Sequence, residues 1–323
     1  MELSIYGTCY NNANLIKQCI ESIASQFDLN NDTELVITDN FSTDGTFGII
    51  DEYTKKYKNI KILREHCSRG MGRKIAYNNT TSKYSFYIDF DTVYSPLLSK
   101  LIKQIKAEYT GNQIMPFGFM DRDTMTKIGG WDDLNNAEDG ELEARAISKG
   151  ITLNTLPIRA YKNEIPSVKR NLRFRKRKFS IKFLLRQYRI TRDGLIGRGI
   201  KNLKAIKTYY TGKKRLFVYF VYIMLKLGRK RTRSYSDFDS NSELIQQNRN
   251  LLDPRKYGIE KDYWIYAFST RFISKSATTR IVNTLFDYGF DKLEMLSDNS
   301  IMVYSEKTSK EFINETINFI KTL

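Results

Sequence analysis

Short apolar runs alternate with amphipathic stretches through the first half of the chain. Residues 3–8 (Leu-Ser-Ile-Tyr-Gly-Thr) read as a strand, and Asn11 to Asn14 supply turn and cap chemistry for a helix from Leu15 to about Gln26. Leu15, Ile16, Cys19, Ile20 and Ile23 fall on one face of that helix. A second apolar strand, 34–39, ends in Asp39 and is followed by a polar turn and a helix over 46–57. Residues 60–63 form a third strand, the Arg69-Gly-Met-Gly-Arg73 loop opens a helix to about Thr80, and Tyr84 to Asp89 is the fourth strand. Strand and helix in this rhythm predict parallel pairing with right-handed crossovers.

The fourth strand, Tyr84-Ser-Phe-Tyr-Ile-Asp-Phe-Asp91, ends in two carboxylates one residue apart, which the strand period sends to the same side. Such a pair can grip Mg²⁺ or Mn²⁺, which take one or two carboxylates and fill other positions with water and substrate phosphates. The competing reading is a strand end whose Asp residues cap the next helix. In open parallel sheets, ligands collect beyond the carboxyl ends of the strands. Asp39, the glycine loop with Arg69 and Arg73, and the Asp89/Asp91 pair all fall at such ends, an arrangement suited to a nucleoside diphosphate with its metal. Gly70 and Gly72 would let the backbone approach a phosphate, or simply form a flexible turn. Further on, Ile128-Gly-Gly-Trp-Asp132 is a glycine turn, and Glu138, Asp139, Glu141 and Glu143 open a helix. Carboxylates suit a helix start electrostatically, and beside a metal diphosphate one of them is a candidate general base.

The second half has a different texture. Residues 159–233 hold about 25 Lys and Arg against Glu164 and Asp193, so that segment carries about +23 and the rest of the chain, whose total is +17, sums to about −6. Cations interleave with apolar residues in Arg173-Phe-Arg-Lys-Arg-Lys-Phe and again around Leu216 to Leu225, a run far short of the ~20 residues that cross a bilayer. Helices of this kind can lie on an anionic membrane surface, or pack on the first domain with a solvated basic face. From Ser234 to Glu260 the chain is polar with one helix. A strand over 263–269, a helix over 274–288, a hairpin about Asp298-Asn299 and a terminal helix over 309–322 then make a small α+β module. The boundaries expected are 1–165 for the catalytic domain, 166–235 for the basic helical region and 236–323 for the C-terminal module. At 323 residues and 41% hydrophobic, the chain can bury a full core. Cys9, Cys19 and Cys67 form no Cys-x-x-Cys pair, and no basic-then-apolar leader opens the chain, which points to reduced thiols in the cytoplasm.

The order of these pieces resembles the family 2 glycosyltransferases of the GT-A fold. The likeness rests on Tyr10-Asn-Asn, Val36-Ile-Thr-Asp-Asn-Phe-Ser-Thr-Asp-Gly-Thr46, Gly70-Met-Gly-Arg-Lys74, Asp89-Phe-Asp91, Ile128-Gly-Gly-Trp-Asp132 and Glu138-Asp-Gly-Glu-Leu-Glu-Ala-Arg145, and covers about residues 3–160. It implies a Rossmann-like, mostly parallel α/β sheet flanked by helices. It also implies an inverting, metal-dependent transferase that takes a nucleoside-diphosphate sugar, UDP-sugar favoured, with Mn²⁺ or Mg²⁺ as cofactor. By the same resemblance Tyr10 and Asp39 would lie beside the base, Arg73 near the base or diphosphate with Arg69 also on the donor side, Asp89 near ribose and metal, and Asp91 on the metal. Asp139 would be the base, Glu138 would sit near donor sugar or acceptor, and Trp131 and Gly130 would face the acceptor.

Cys9 stands where the family often has Thr and Phe41 where a small residue is common, and two further features depart from the family pattern. No histidine follows the acidic cluster to complete a metal site, His66 being the only one in the chain and lying before the glycine loop. The Gln-x-x-Arg-Trp signature of processive synthases is absent, which favours transfer of single sugars to a glycan or a lipid-linked acceptor such as a polyprenyl phosphate. Peripheral attachment to the cytoplasmic face of a membrane would serve such an acceptor. Two other classes compete: a nucleic-acid binder using the basic stretch, which leaves the ordered acidic motifs without a role, and a sugar-nucleotide binder without turnover.

Overall fold

The structure is a computed structural model that describes residues 1–159, 161–162, 181–210, 212–228, 233–297 and 299–320. It opens with β1 (Leu3–Cys9), α1 (Ala13–Ala24), β2 (Thr33–Asp39), α2 (Thr46–Lys56), β3 (Ile60–Arg64), α3 (Arg69–Asn78) and β4 (Tyr84–Tyr87). Next come β5 (Val93–Tyr94), α4 (Leu97–Glu108), β6 (Gln113–Ile114), β7 (Met120–Asp121), α5 (Arg122–Ile128), α6 (Glu138–Ser148), β8 (Thr152–Thr155) and β9 (Tyr161–Lys162). The central sheet runs β3-β2-β1-β4-β7, parallel except for β7, with Leu3 opposite both Thr33 and Tyr84.

Alternation along the inner strands divides the interior into two layers. Ile5, Leu35, Ile37 and Phe86 face one side, against Ile16, Ile20 and Ile23 of α1. Tyr6 and Val36 face the other, against Ala76 and Tyr77 of α3 and Leu142 of α6. The carboxyl ends of the parallel strands therefore lie along one edge, with a helix launched from each loop.

After β9 the chain forms α7 (Ile181–Gly197), α8 (Leu203–Tyr209) and α9 (Gly212–Leu227), which share a small core of Leu195, Ile206, Val218, Val221 and Leu225. Then follow α10 (Asn241–Asn248), β10 (Asn250–Leu251), β11 (Ile265–Ser269), α11 (Lys275–Asp287), β12 (Lys292–Ser297), β13 (Ser300–Tyr304) and α12 (Lys310–Ile320). Strands β11, β13 and β12 form an antiparallel sheet, while β10 joins β8 and β6. Trp264, Leu285 and Val303 belong to the same buried cluster as Ile5 and Phe86, so the C-terminal module packs directly onto the first layer of the core.

The glycine stretch differs from expectation. Gly70 and Gly72 lie inside α3, which begins at Arg69 with Ser68 as its cap, the Ser68 hydroxyl accepting from the Met71 amide at 3.1 Å. A Cβ on Gly70 would sit 1.9 Å from the Asp132 carbonyl oxygen, and one on Gly72 would sit 2.4 Å from Thr8 Oγ1. These glycines serve close helix packing, not a phosphate cradle. Residues 163–180, with the Arg173 run, and the hairpin tip at Asp298 lie outside the described residues.

Candidate active site

The loops that leave β1, β2 and β4 are tied together by their own polar groups. Asn12 is buried; its backbone amide donates to Thr46 Oγ1 at 2.7 Å, and its side-chain amide donates to the Phe90 carbonyl at 2.6 Å. The Ala13 amide donates to Asp44 at 3.0 Å, and the Asn11 amide to Ser42 Oγ at 2.9 Å. Asn40 exchanges two hydrogen bonds with the backbone of Cys67, which joins the β2 loop to the approach to α3. Asn11 and Phe41 both hold positive φ, 49° and 48°, backbone strain that persists only where the surroundings dictate it.

Asp89 and Asp91 lie just beyond β4, two and four residues past its last paired residue. The Tyr94 hydroxyl fixes the backbone there, accepting from the Asp89 amide at 3.0 Å. One Asp89 oxygen is 2.8 Å from Arg73 Nη2, while the Asp89 side chain remains 62% exposed. Arg73 also reaches Glu138 Oε1 at 2.9 Å through Nη1, and its guanidinium lies over the rings of Tyr87 (4.6 Å) and Trp131 (4.9 Å). Burial by itself would lower the Arg73 pKa, but Asp89, Glu138, Tyr87 and Asp139 together hold it above its ordinary value. Glu138 is pushed upward, first by burial and then by the nearby Asp139 charge, with Arg73 pulling the other way. Asp89 and Asp139 thus act on the same guanidinium, and the two acidic motifs meet in one place.

Helix α6 opens at this point from a strained turn: Ala137, its N-cap, has φ 60° and ψ 30°. The basic helix α7 braces that turn. Buried Asp193 accepts from the Asn135 amide at 3.1 Å and its side-chain amide at 3.0 Å, and a Cβ on Gly197 would lie 2.6 Å from the Ala137 carbonyl oxygen. Asp139 comes next to Glu138 and is exposed, and its own helix's Gly140 amide donates to it at 2.8 Å.

Some expected residues open to the site and others do not. Tyr10, Arg69, Asp89 and Asp139 are exposed, and Arg69 lies 3.7 Å from Glu138. Asp39 is fully buried beneath the β2 loop; it accepts from the Ser42 amide at 3.1 Å and lies 3.6 Å from Arg64, so its carboxylate shapes the loop from below. Arg73 was expected on the base or diphosphate and is only 3% exposed, its charge already shared between two carboxylates. Glu138 and Trp131 are each 1% exposed; Trp131 donates to the Tyr6 hydroxyl at 3.1 Å and presents no surface to an acceptor. The neighbouring Gly130 carbonyl accepts from Arg145 at 2.8 Å. Arg73 on α3 and Glu138 on α6 are buried where these two helices meet, Trp131 packs against Tyr6 and Tyr87, and Asp39 lies under the β2 loop, none of which the motifs alone convey.

Further residues complete the setting: Asn12, expected only as part of the Tyr10-Asn-Asn turn, and Tyr94 and Asp193, which no spacing rule marks, fix the loops. His66 stacks on Phe41 at 3.8 Å between ring centroids, with Arg64 over the other aromatic neighbour, Phe47, at 4.5 Å. Cys9 and Cys19 are buried and Cys67 half-buried, all three as free thiols.

For a divalent ion, no group of three or more His, Cys, Asp or Glu side chains stands ready among the described residues. Exposed Asp89 and half-buried Asp91, just beyond β4, fit a hard cation whose other positions are filled by oxygen ligands from elsewhere. The residues therefore fit an ion that draws most of its ligands from outside the protein.

The sequence pattern of the family described as glycosyl transferase family 2 matches residues 4–189. A poly(ribitol-phosphate) beta-glucosyltransferase of Bacillus spizizenii is 30% identical over 94 residues, 28% of this chain and 15% of that protein's length. The structure of TarS of S. aureus aligns with a TM-score of 0.45 and 14% identity over 69% of this chain and 53% of its own. A mannosyltransferase of Pyrobaculum calidifontis, solved with GDP-Man and Mn²⁺, aligns with a TM-score of 0.43 and 14% identity, covering 69% of this chain and 80% of its own.

Proposed function

The chain belongs to glycosyl transferase family 2, and from that premise we propose that it moves a single sugar from a nucleoside-diphosphate sugar, UDP-sugar favoured, to an acceptor hydroxyl with inversion. The observation that carries this reading is the pairing of Arg73 with both Asp89 and Glu138, beside the exposed Asp139, along the edge where the parallel strands end. Arg73 holds two acidic elements at a common distance while spending its own charge internally. Glu138 keeps the first turn of α6 against α3, and Asp139 is left facing outward.

In the reaction, the acceptor oxygen bonds to the anomeric carbon as the bond from that carbon to the diphosphate oxygen breaks. The hydroxyl proton passes to Asp139, which must lie within ~3 Å of it or one water away. Exposed Arg69 meets the diphosphate as a donor of charge-assisted hydrogen bonds. Asp91 and Asp89 would hold Mn²⁺ or Mg²⁺, which when bound offsets the negative charge that develops on the leaving group. In this reading Tyr10 and the stacked His66–Phe41 pair would border the base, with Asp39 holding the β2 loop from underneath.

The acceptor in this reading is a glycan or a lipid-linked glycan, reached from the cytoplasmic face of a membrane; the concentration of cations in 159–233 supports that setting. Thermal unfolding across a panel of nucleotide sugars, each with Mn²⁺ or Mg²⁺, tests the donor half, because a ligand that binds only the native state raises the melting temperature. A panel that shifts nothing would refute it.

A further inference from the structure

Helix α9 has two apolar faces, and the rest of the described protein uses one. Val218, Val221, Tyr222 and Leu225 are buried against α7 and α8. Leu216, Phe220, Ile223, Met224 and Leu227 are exposed, at 71%, 56%, 52%, 42% and 73%. At ~100° per residue the two sets point to opposite sides of the helix. The exposed set forms a continuous stripe ~17 Å long, a contiguity that soluble surfaces seldom leave open.

The charges around it say what kind of surface it meets. Residues 212–228 contain Lys213, Lys214, Arg215 and Lys226 and no acid. Of these, Lys214 lies over the Tyr210 ring, Arg215 Nε donates to the Tyr210 carbonyl at 2.7 Å and Lys226 lies over the Tyr222 ring. No helix among the described residues is long and apolar enough to cross a membrane. A stripe of this length, on a helix too short to span and within a segment, 159–233, that holds about 25 Lys and Arg against two acids, matches the interfacial geometry in which apolar side chains sink below the headgroups of an anionic surface.

We propose that the outward face of α9, formed by Leu216, Phe220, Ile223, Met224 and Leu227, docks on an anionic phospholipid surface. The inference deepens the reading of a membrane-borne acceptor but rests on none of the transfer chemistry. It places the catalytic edge in relation to a bilayer through α7, the same helix whose Asp193 and Gly197 brace the turn into α6.

Flotation of the full chain with vesicles tests it. Vesicles of phosphatidylglycerol and phosphatidylcholine in equal parts should carry the wild-type protein upward at low salt. Pure phosphatidylcholine should bind roughly tenfold less or weaker, given the contribution of each cation near an anionic surface. Phe220→Asp and Ile223→Asp together should abolish flotation while circular dichroism and nucleotide-sugar-dependent thermal shifts stay as in wild type. Wild-type protein that stays at the bottom with anionic vesicles overturns the proposal, as does a double variant that floats unchanged. A wild-type dimer in sedimentation, dispersed by the double variant, would likewise overturn it by giving the stripe to a second copy. Because flotation needs neither donor nor turnover, these results are separable from failure of the transferase reading.

Discussion

Arg73 Nη2 lies 2.8 Å from Asp89 Oδ1, joining a helix that starts at Arg69 to the acidic segment that follows β4. The same guanidinium continues to Glu138 on α6, so three elements separated in sequence are registered by one buried cation. An arginine suits this position because its planar fork can serve two carboxylates and stack on Tyr87 and Trp131 together.

Replacing Arg73 tests that registration. Arg73→Met should destabilise the fold by about 3–5 kcal/mol, because Glu138 would be left buried without its partner. Arg73→Lys should recover only part of this, since an ammonium group cannot reproduce the fork. Urea unfolding at neutral pH measures both.

Asp139→Asn should leave nucleotide-sugar-dependent thermal stabilisation in place and reduce transfer by roughly 10²–10⁴-fold, the range for loss of a general base. The readouts are a melting-temperature shift and a single-turnover transfer assay. Unchanged turnover would remove Asp139 from the role of base.

Asp91→Ala and chelation of divalent ions should act on the same step. Each should diminish the stabilisation given by a nucleotide sugar, which amounts to about 2.7 kcal/mol at a hundredfold excess over Kd. The effect of chelation should be small in the Asp91→Ala protein, because the ion's site is already impaired. Titration of the ligand with and without Mn²⁺ reads this directly.

Two helical glycines should respond in opposite directions. Gly70→Ala drives a methyl group against the Asp132 carbonyl and should cost about 1–3 kcal/mol, as overpacking does. Gly48, exposed in α2 with nothing within 4 Å of a built Cβ, should gain roughly 0.5–1 kcal/mol on change to Ala. Paired melting curves separate a packing requirement from the ordinary cost of glycine in a helix.

Acid should weaken the fold partly through Glu34, at the far end of the sheet from the site. Burial alone would raise its pKa. The Thr81 amide, the Ser4 hydroxyl at 2.7 Å, the Lys61 ammonium at 3.0 Å and the Thr81 hydroxyl at 2.9 Å outweigh burial and lower it below the ordinary 4.5. A depressed native pKa means that the unfolded chain binds the proton first as pH falls, so the contribution present above pH 4.5 is lost progressively below it. Glu34→Gln should be less stable than wild type at pH 7 and lose less on acidification, as denaturant midpoints across pH would report.

The sequence by itself determined the alternation of strand and helix, the parallel order it entails and the set of acidic motifs. Each of these is a local or periodic property: apolar runs of strand length, 3.6-residue stripes, and Asp89 and Asp91 at the end of an apolar strand. Tertiary structure decided which motif residues open to the site and which support it. Arg73, Glu138, Trp131 and Asp39 look like ligand-facing residues in one dimension, yet all four are buried: Arg73 and Glu138 pair where α3 meets α6, Trp131 packs on Tyr6 and Tyr87, and Asp39 lies under the β2 loop. The loop-fixing roles of Asn12 and Asp193 became visible only through partners distant in the chain, Phe90 and Asn135. Burial and long-range pairing depend on how separate elements meet, and no pattern within a single element carries that information.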